Sequence, residues 1–249
     1  MIQTTDFTDI DGREDTTQTT ALGTTQPSAM DMAPGELVGD FAVEDIKFPR
    51  LNFVQKSGNL SNDFDFGDIV LSKEHRLAGF ANKGDEVSSP VELIIVSLRK
   101  FYQERTEYNS GIIPASFNSL AEVQGAGLTT RWGANGEKPT AEAVIDTRVL
   151  VKKPDDLISD AFPYDIDGML WSPAGWFLAR TAYKAAFTNV IGPKLAIELR
   201  VPGLLAGRWE LRSQKVTKGD NTYVIPKLHL LPERNNKQFQ DTIRELTAL

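Results

Sequence analysis

The sequence predicts a β-rich fold, all-β to α+β, on three observations. Its apolar runs are short and bounded by Gly, Pro, Asn and Asp, as strands are. No strand-like runs alternate regularly with helical periods, which argues against a parallel βαβ sheet. Only the last segment, with Phe239, Ile243, Leu246 and Leu249 at near-helical spacing, carries a clear helical period. At 249 residues, with 41% hydrophobic and 24% charged residues, the chain can bury a sizeable core in one large or two small domains.

Taken in order, residues 1–40 read as a disordered acidic arm. Through residue 45 there are ten acids against one base, many Thr, and few aliphatics before Leu37. Such a stretch buries too little apolar surface to offset its ordering entropy. From 41 to 249 the pattern is that of a single domain. Residues 46–54 (IKFPRLNFV) are extended, with Pro49 confining them to a sheet edge or a strand start. After the turn-rich GNLSNDFDFG comes a short strand over 68–71. The strongest strand is VELIIVSLRKFY (91–102), β-branched and starting after Pro90; AEAVIDTRVLV (141–151) follows, closed by Lys152-Lys153-Pro154. Between them, 103–140 hold NSG, GAG and GANG turn signals without sustained periodicity, a long insertion.

WFLARTAYKAAF (176–187) fits a strand with Trp176, Arg180 and Lys184 on one face, and equally a helix aligning Trp176, Arg180, Tyr183 and Phe187. A strand to about Ala182, then a short helix stopped by Gly192-Pro193, is the expectation. Residues 208–216 and 222–231 form a hairpin across Lys218-Gly219-Asp220-Asn221, and a helix capped by Asn235 or Asn236 ends the chain. Five to seven strands with long loops suit an OB-like small β-barrel with insertions and a C-terminal helix.

Composition narrows the chemistry. Without cysteine there is no disulfide, thiol nucleophile or Cys-ligated metal, and two histidines, His75 and His229, argue against a His-rich metal site. Both histidines read as surface or strand-face residues. No Walker, GxGxxG, HExxH or GxSxG pattern occurs. The acidic groups Asp63/Asp65/Asp68 and Asp165/Asp167 read as solvated turn carboxylates, since neither continues into a calcium-binding loop. No apolar stretch is long enough to span a membrane, and the Asp- and Thr-rich start lacks the basic and apolar regions of a signal peptide. The net charge of −7 divides unevenly: −9 falls on residues 1–45, leaving 26 bases and 24 acids, or +2, on 46–249.

The positive signal is bases interleaved with rings, the requirement for binding single-stranded nucleic acid: cations for phosphates and flat side chains for bases. One cluster ends the strongest strand: Arg99, Lys100, Phe101 and Tyr102, then Arg105 and Tyr108. On a strand Lys100 and Tyr102 share one face and Arg99 and Phe101 the other, so either outward face carries a base and a ring. A second is Arg131-Trp132 with Lys138 in the glycine-rich insertion; a third is Trp171, Trp176, Arg180, Tyr183 and Lys184. In the third, at least one Trp is expected in the core. A fourth runs along the hairpin as Arg208, Arg212, Lys215 and Lys218, with Trp209 expected to be buried. The candidate nucleic-acid contacts are therefore Arg99, Lys100, Arg131, Lys138, Arg180, Lys184 and Arg212 for phosphates, and Tyr102, Trp132 and Trp176 for bases.

FPRLNFVQKSG (48–58), VELIIVSLRKFY (91–102), AVIDTRVLV (143–151), WFLARTAYKAAF (176–187) and the WELRSQKV…TYVIPKLHLLPE hairpin (209–233) follow one another in an order that resembles bacteriophage single-stranded-DNA-binding proteins of the OB-fold type, over roughly 48–245. The resemblance implies a non-catalytic protein without metal or cofactor, coating single strands in replication or recombination in the host cytoplasm. Such proteins often end in an acidic tail, whereas this chain ends RELTAL and is acidic at its start. The acidic arm fits three roles: competing with phosphate for the groove, recruiting replication or recombination proteins, or solubilising the chain. A homo-oligomer remains open. Two rivals stand beside this reading. One is a phage structural or assembly protein with an acidic docking arm; the other is a metal-dependent nucleic-acid-processing enzyme using Asp146 with Glu142, or Asp165 with Asp167.

Overall fold

The computed structural model describes residues 49–82, 84–106 and 111–247. The acidic arm, residues 46–48 of the expected first strand, Tyr108 and residues 248–249 of the expected last helix lie outside the described residues. The architecture is mostly β-sheet with few helices. Strands β1 (Leu51–Phe53), β2 (Ile69–Leu71) and β3 (His75–Ala78) form a small sheet. The large sheet is built from β4 (Val91–Glu104), β5 (Ser116–Phe117), β6 (Ala141–Lys152), β7 (Tyr164–Ile166), β8 (Met169–Leu178), β9 (Gly207–Lys218) and β10 (Asn221–Arg234). Its order is β10-β9-β4-β6-β8-β7, all antiparallel, with β5 added on β4.

Among the described residues these sheets do not close into a barrel, so the expected OB-like closure is not what the strands make. Strands of 10 to 14 residues lie side by side instead, and the small sheet folds across one face. It is tied at both ends. Arg50 bridges Gly175 on the free edge of β8, while the Gln55 amide exchanges two hydrogen bonds, each 3.1 Å, with the backbone of Val224 on β10. Val224 therefore turns its backbone groups outward, and Pro226 on the same edge strand sacrifices no ladder bond.

Turn chemistry sets the hairpins. Between β9 and β10, Gly219 takes φ +58 in a two-residue loop; between β7 and β8, Asp167-Gly168 takes φ +52 and +73, the pair favoured for such a turn. The main core lies between the large sheet and the small one, and includes Leu93, Ile95, Val149, Trp176, Trp209 and Leu211. A helical strap completes its cover: α2 (Arg180–Ala182) runs into a π-helix (Tyr183–Ile191) and then α3 (Gly192–Ile197). The expected strand to Ala182 thus stops at Leu178. Gly192-Pro193 opens α3 rather than ending a helix, because proline is tolerated in a first turn.

On the opposite sheet face, α4 (Lys237–Thr247) lays Phe239 and Ile243 over Ile94, Leu150, Ile166 and Trp171. Asn236 caps it, its side-chain oxygen accepting from the Phe239 N–H at 2.8 Å, and Asn235 instead donates to the Leu205 carbonyl. Burying Phe239 and Ile243 contributes roughly 1.5–3 kcal/mol each, which fixes the helix to the sheet.

Candidate nucleic-acid interface

One irregularity in β4 decides which side chains face outward. Ile95 pairs Val149 but Ser97 pairs Arg148, a bulge that lets Val96 take up one extra residue. Before it, Leu93 and Ile95 face the main core; after it, that face holds Leu98, Lys100 and Tyr102, opposite Thr147, Ile145 and Ala143. Ser97, Arg99, Phe101 and Gln103 therefore turn to the outer face, opposite Arg148, Asp146, Val144 and Glu142 of β6. From β8 the same face receives Gly175 and Phe177, in register with Arg148 and Asp146.

Arg99, Asp146 and Phe177 thus form one row across three strands, which places Arg99 and Phe177 about 10 Å apart at the backbone. Phe101 and Phe177 lie with ring centroids 6.0 Å apart and planes at 57°. Phe177 is 45% exposed, an unusual state for a phenylalanine on a strand, and Arg99 and Ser97 are exposed beside it. The Arg99 guanidinium donates to the Asn118 side-chain oxygen at 3.0 Å, which ties it to the segment leading into α1 (Leu120–Gly125). At the end of this face Glu142 is bracketed by two arginines: Arg180 Nε at 3.1 Å from one carboxylate oxygen and Arg105 Nε at 3.4 Å from the other.

The remaining nominated residues are dispersed. Lys100 is exposed at the same end of β4 but on the core side, its ammonium 5.4 Å from the Tyr102 ring centroid, with Tyr102 half-buried. Arg131, Trp132 and Lys138 are exposed on the insertion, where backbone bonds from Gly133 to Glu137 and from Thr140 to Thr129 hold a turn. Trp132 is 64% exposed there, as a stacking ring requires. Arg180 and Lys184 are exposed at the start of the helical strap. Arg212 is committed elsewhere, donating to Glu210 at 2.7 Å and to the Ser88 carbonyl at 3.0 Å.

Trp176 is a correction. It is 2% exposed in the main core and packs on Phe53 with centroids 6.3 Å apart, so neither ring face is open to a base. The exposed ring is its neighbour Phe177, because successive strand residues point to opposite faces. Trp209 is buried, as expected, and so is Trp171, which meets Phe239 edge-on at 6.0 Å. Phe177, and the Arg105–Glu142–Arg180 bracket, escaped the sequence reading. The alternation of Trp176 with Phe177 was the available signal, but only the sheet partners reveal which of the two faces the core.

Two of the four carboxylates nominated for catalysis are engaged in contacts of their own. Glu142 holds the two arginines, and Asp165 accepts from the Gly168 N–H at 2.9 Å in the β7–β8 turn. Glu142 and Asp146 share a face of β6, four residues apart on a strand, or roughly 13 Å along it. Among the described residues no group of three or more His, Asp or Glu is arranged to hold a metal ion, and no helix is long and apolar enough to cross a membrane. Away from this face, a hydrogen bond from Lys194 holds the Glu198 carboxyl below its ordinary pKa, with Arg234 and His229 adding to the effect. No protein-family model matches the chain, and neither do any curated proteins or solved structures.

Proposed function

We propose that the protein is a non-catalytic single-stranded-DNA-binding protein, phage-encoded and coating single strands in replication or recombination in the host cytoplasm. The observation that carries this reading is the outer sheet face beyond α4, where Phe177, ring-paired with Phe101, lies in register with Arg99. Rings on a sheet surface offer bases a stacking platform, and adjacent guanidinium groups meet the phosphates. The reading needs an accessible sheet face and not a closed OB barrel, so the proposed likeness to OB-type phage proteins is one of function. Arg131, Trp132 and Lys138 extend the same chemistry onto the insertion.

The test is titration of fluorescently labelled oligo(dT) and duplex DNA, followed by anisotropy at several salt concentrations. The expected result is preference for the single strand and an affinity that falls linearly on a log–log salt plot. No binding at low ionic strength would sink the idea. The assembly reading has its own support in the exposed apolar side chains Ile112, Ile113, Ile197 and Val201. It is favoured instead if the same sample ignores DNA but self-associates in sedimentation velocity.

A further inference from the structure

Among the described residues, three non-glycine residues take left-handed backbone: Ser72, Asp167 and Arg180, with φ +59, +52 and +52. Two are explained by their turns. Ser72 sits between β2 and β3 and donates its N–H to the Arg50 carbonyl at 2.7 Å, and Asp167 begins the Asp-Gly hairpin turn. Arg180 has no such reason. It opens α2 one residue after Ala179 leaves β8, where a glycine would adopt the same backbone without strain, and its side chain is 60% exposed, so packing does not reward it. Strained backbone of this kind persists where it aims a functional group. Here it aims the guanidinium at Glu142, and the π-helix, a conformation frequent at functional sites, begins three residues later.

Glu142 is mostly buried, at 17% side-chain exposure, and contacts both Arg105 and Arg180 through Nε. The terminal amino groups of both guanidinium groups make no hydrogen bond to the described residues. Two guanidinium groups on one carboxylate, each contacting it through Nε, leave a net charge of +1 and bring two planar donor sets to one place, the kind of donor set that receives a phosphate oxygen pair. We infer that Arg105 and Arg180, positioned by Glu142, form a single phosphate-binding fork that takes one backbone phosphodiester of single-stranded DNA. This rests on the single-strand reading above, and adds to it a defined site and a positioning residue.

The experiment is the oligo(dT) salt titration on the parent, Arg180→Gly, Arg105→Gln, the double variant and Asp167→Gly, each with its thermal midpoint. Arg180→Gly is expected to keep or raise the midpoint, since glycine accepts the left-handed backbone. Its salt slope falls by about 0.7, one phosphate's worth for a single strand, which is about an eightfold loss of affinity at 50 mM salt. Arg105→Gln loses the same slope, and the double variant loses no more than either alone because both arginines serve one phosphate. Asp167→Gly relieves the same backbone geometry in a turn and leaves binding unchanged. An unchanged slope in Arg180→Gly overturns the fork, as does a lowered midpoint, which would make Arg180 a structural residue. A double variant losing twice the slope overturns the single shared phosphate. If the parent itself shows no salt-dependent binding, the single-strand reading fails first and the fork falls with it.

Discussion

The outer face of β4, β6 and β8 is treated differently at its two ends. At one end Ile94, Leu150 and Trp171 are covered by Phe239 and Ile243 of α4; at the other, Ser97, Arg99 and Phe177 remain exposed. The same three strands supply both ends, so the difference lies in the side chains. Ile94 and Trp171 carry apolar surface that is costly to hydrate, and the amphipathic α4 covers it. Arg99, Asp146, Arg148 and Gln103 hydrate well, so among the strand residues of β6 at that end only Val144, fully buried opposite Phe101, needs a cover. The rings of Phe101 and Phe177 are the anomaly in that field of mixed charge: Phe101 is half-buried, while Phe177 stays 45% exposed in the row of Arg99, as a stacking surface requires.

The sharpest way to break the comparison uses adjacent residues on opposite faces. Trp176→Ala empties part of the main core and is expected to destabilise the fold by about 3–5 kcal/mol in urea unfolding. Phe177→Ala, one residue on, is expected to leave the unfolding midpoint close to the parent's while weakening oligo(dT) binding by about 1–3 kcal/mol. Equal losses of stability in the two variants would mean that Phe177 is a packing residue and the open end is not a distinct surface.

At the covered end, Ile243→Ala is expected to cost about 2–5 kcal/mol, because Ile243 is fully buried against the sheet. Its folded fraction should bind oligo(dT) with the parent's salt slope. A changed slope would show that α4 and the open end act as one surface, which contradicts the division drawn between them.

That division was only partly legible in the sequence. The long strands, the β9–β10 hairpin and α4 were readable because each carries a local signal: β-branched runs, a Gly-Asp loop between matched strands, a helical period behind an asparagine cap. Barrel closure was not legible, because closure depends on how long strands stagger against distant partners, and periodicity says nothing of that; among the described residues the sheets stay open. The bulge at Val96 has no local signature either. It reverses the facing of everything after it in β4, so Arg99 with Phe101, rather than Lys100 with Tyr102, reaches the outer face. Likewise the rings of Trp176 and Phe177 could not be assigned until Thr147 and Asp146 appeared as their cross-strand partners. Arg105 and Glu142 are far apart in sequence from Arg180, and only the alignment of the ends of β4, β6 and β8 brings the three together.

The smallest expected effect belongs to Arg99, and it tests whether the open end works as a row or as isolated residues. Arg99 is exposed, so Arg99→Ala should change stability by no more than about 0.5 kcal/mol. Its loss should lower the oligo(dT) salt slope by about 0.7, as one phosphate contact does. Asn118→Ala keeps that charge and removes only the 3.0 Å hydrogen bond that orients it. A freely moving guanidinium still neutralises a phosphate, so the slope in Asn118→Ala should match the parent's while the affinity falls slightly through lost preorganisation. If instead Asn118→Ala loses the full slope, the orientation of Arg99 beside Phe177 matters as much as its charge, and the row binds as a unit.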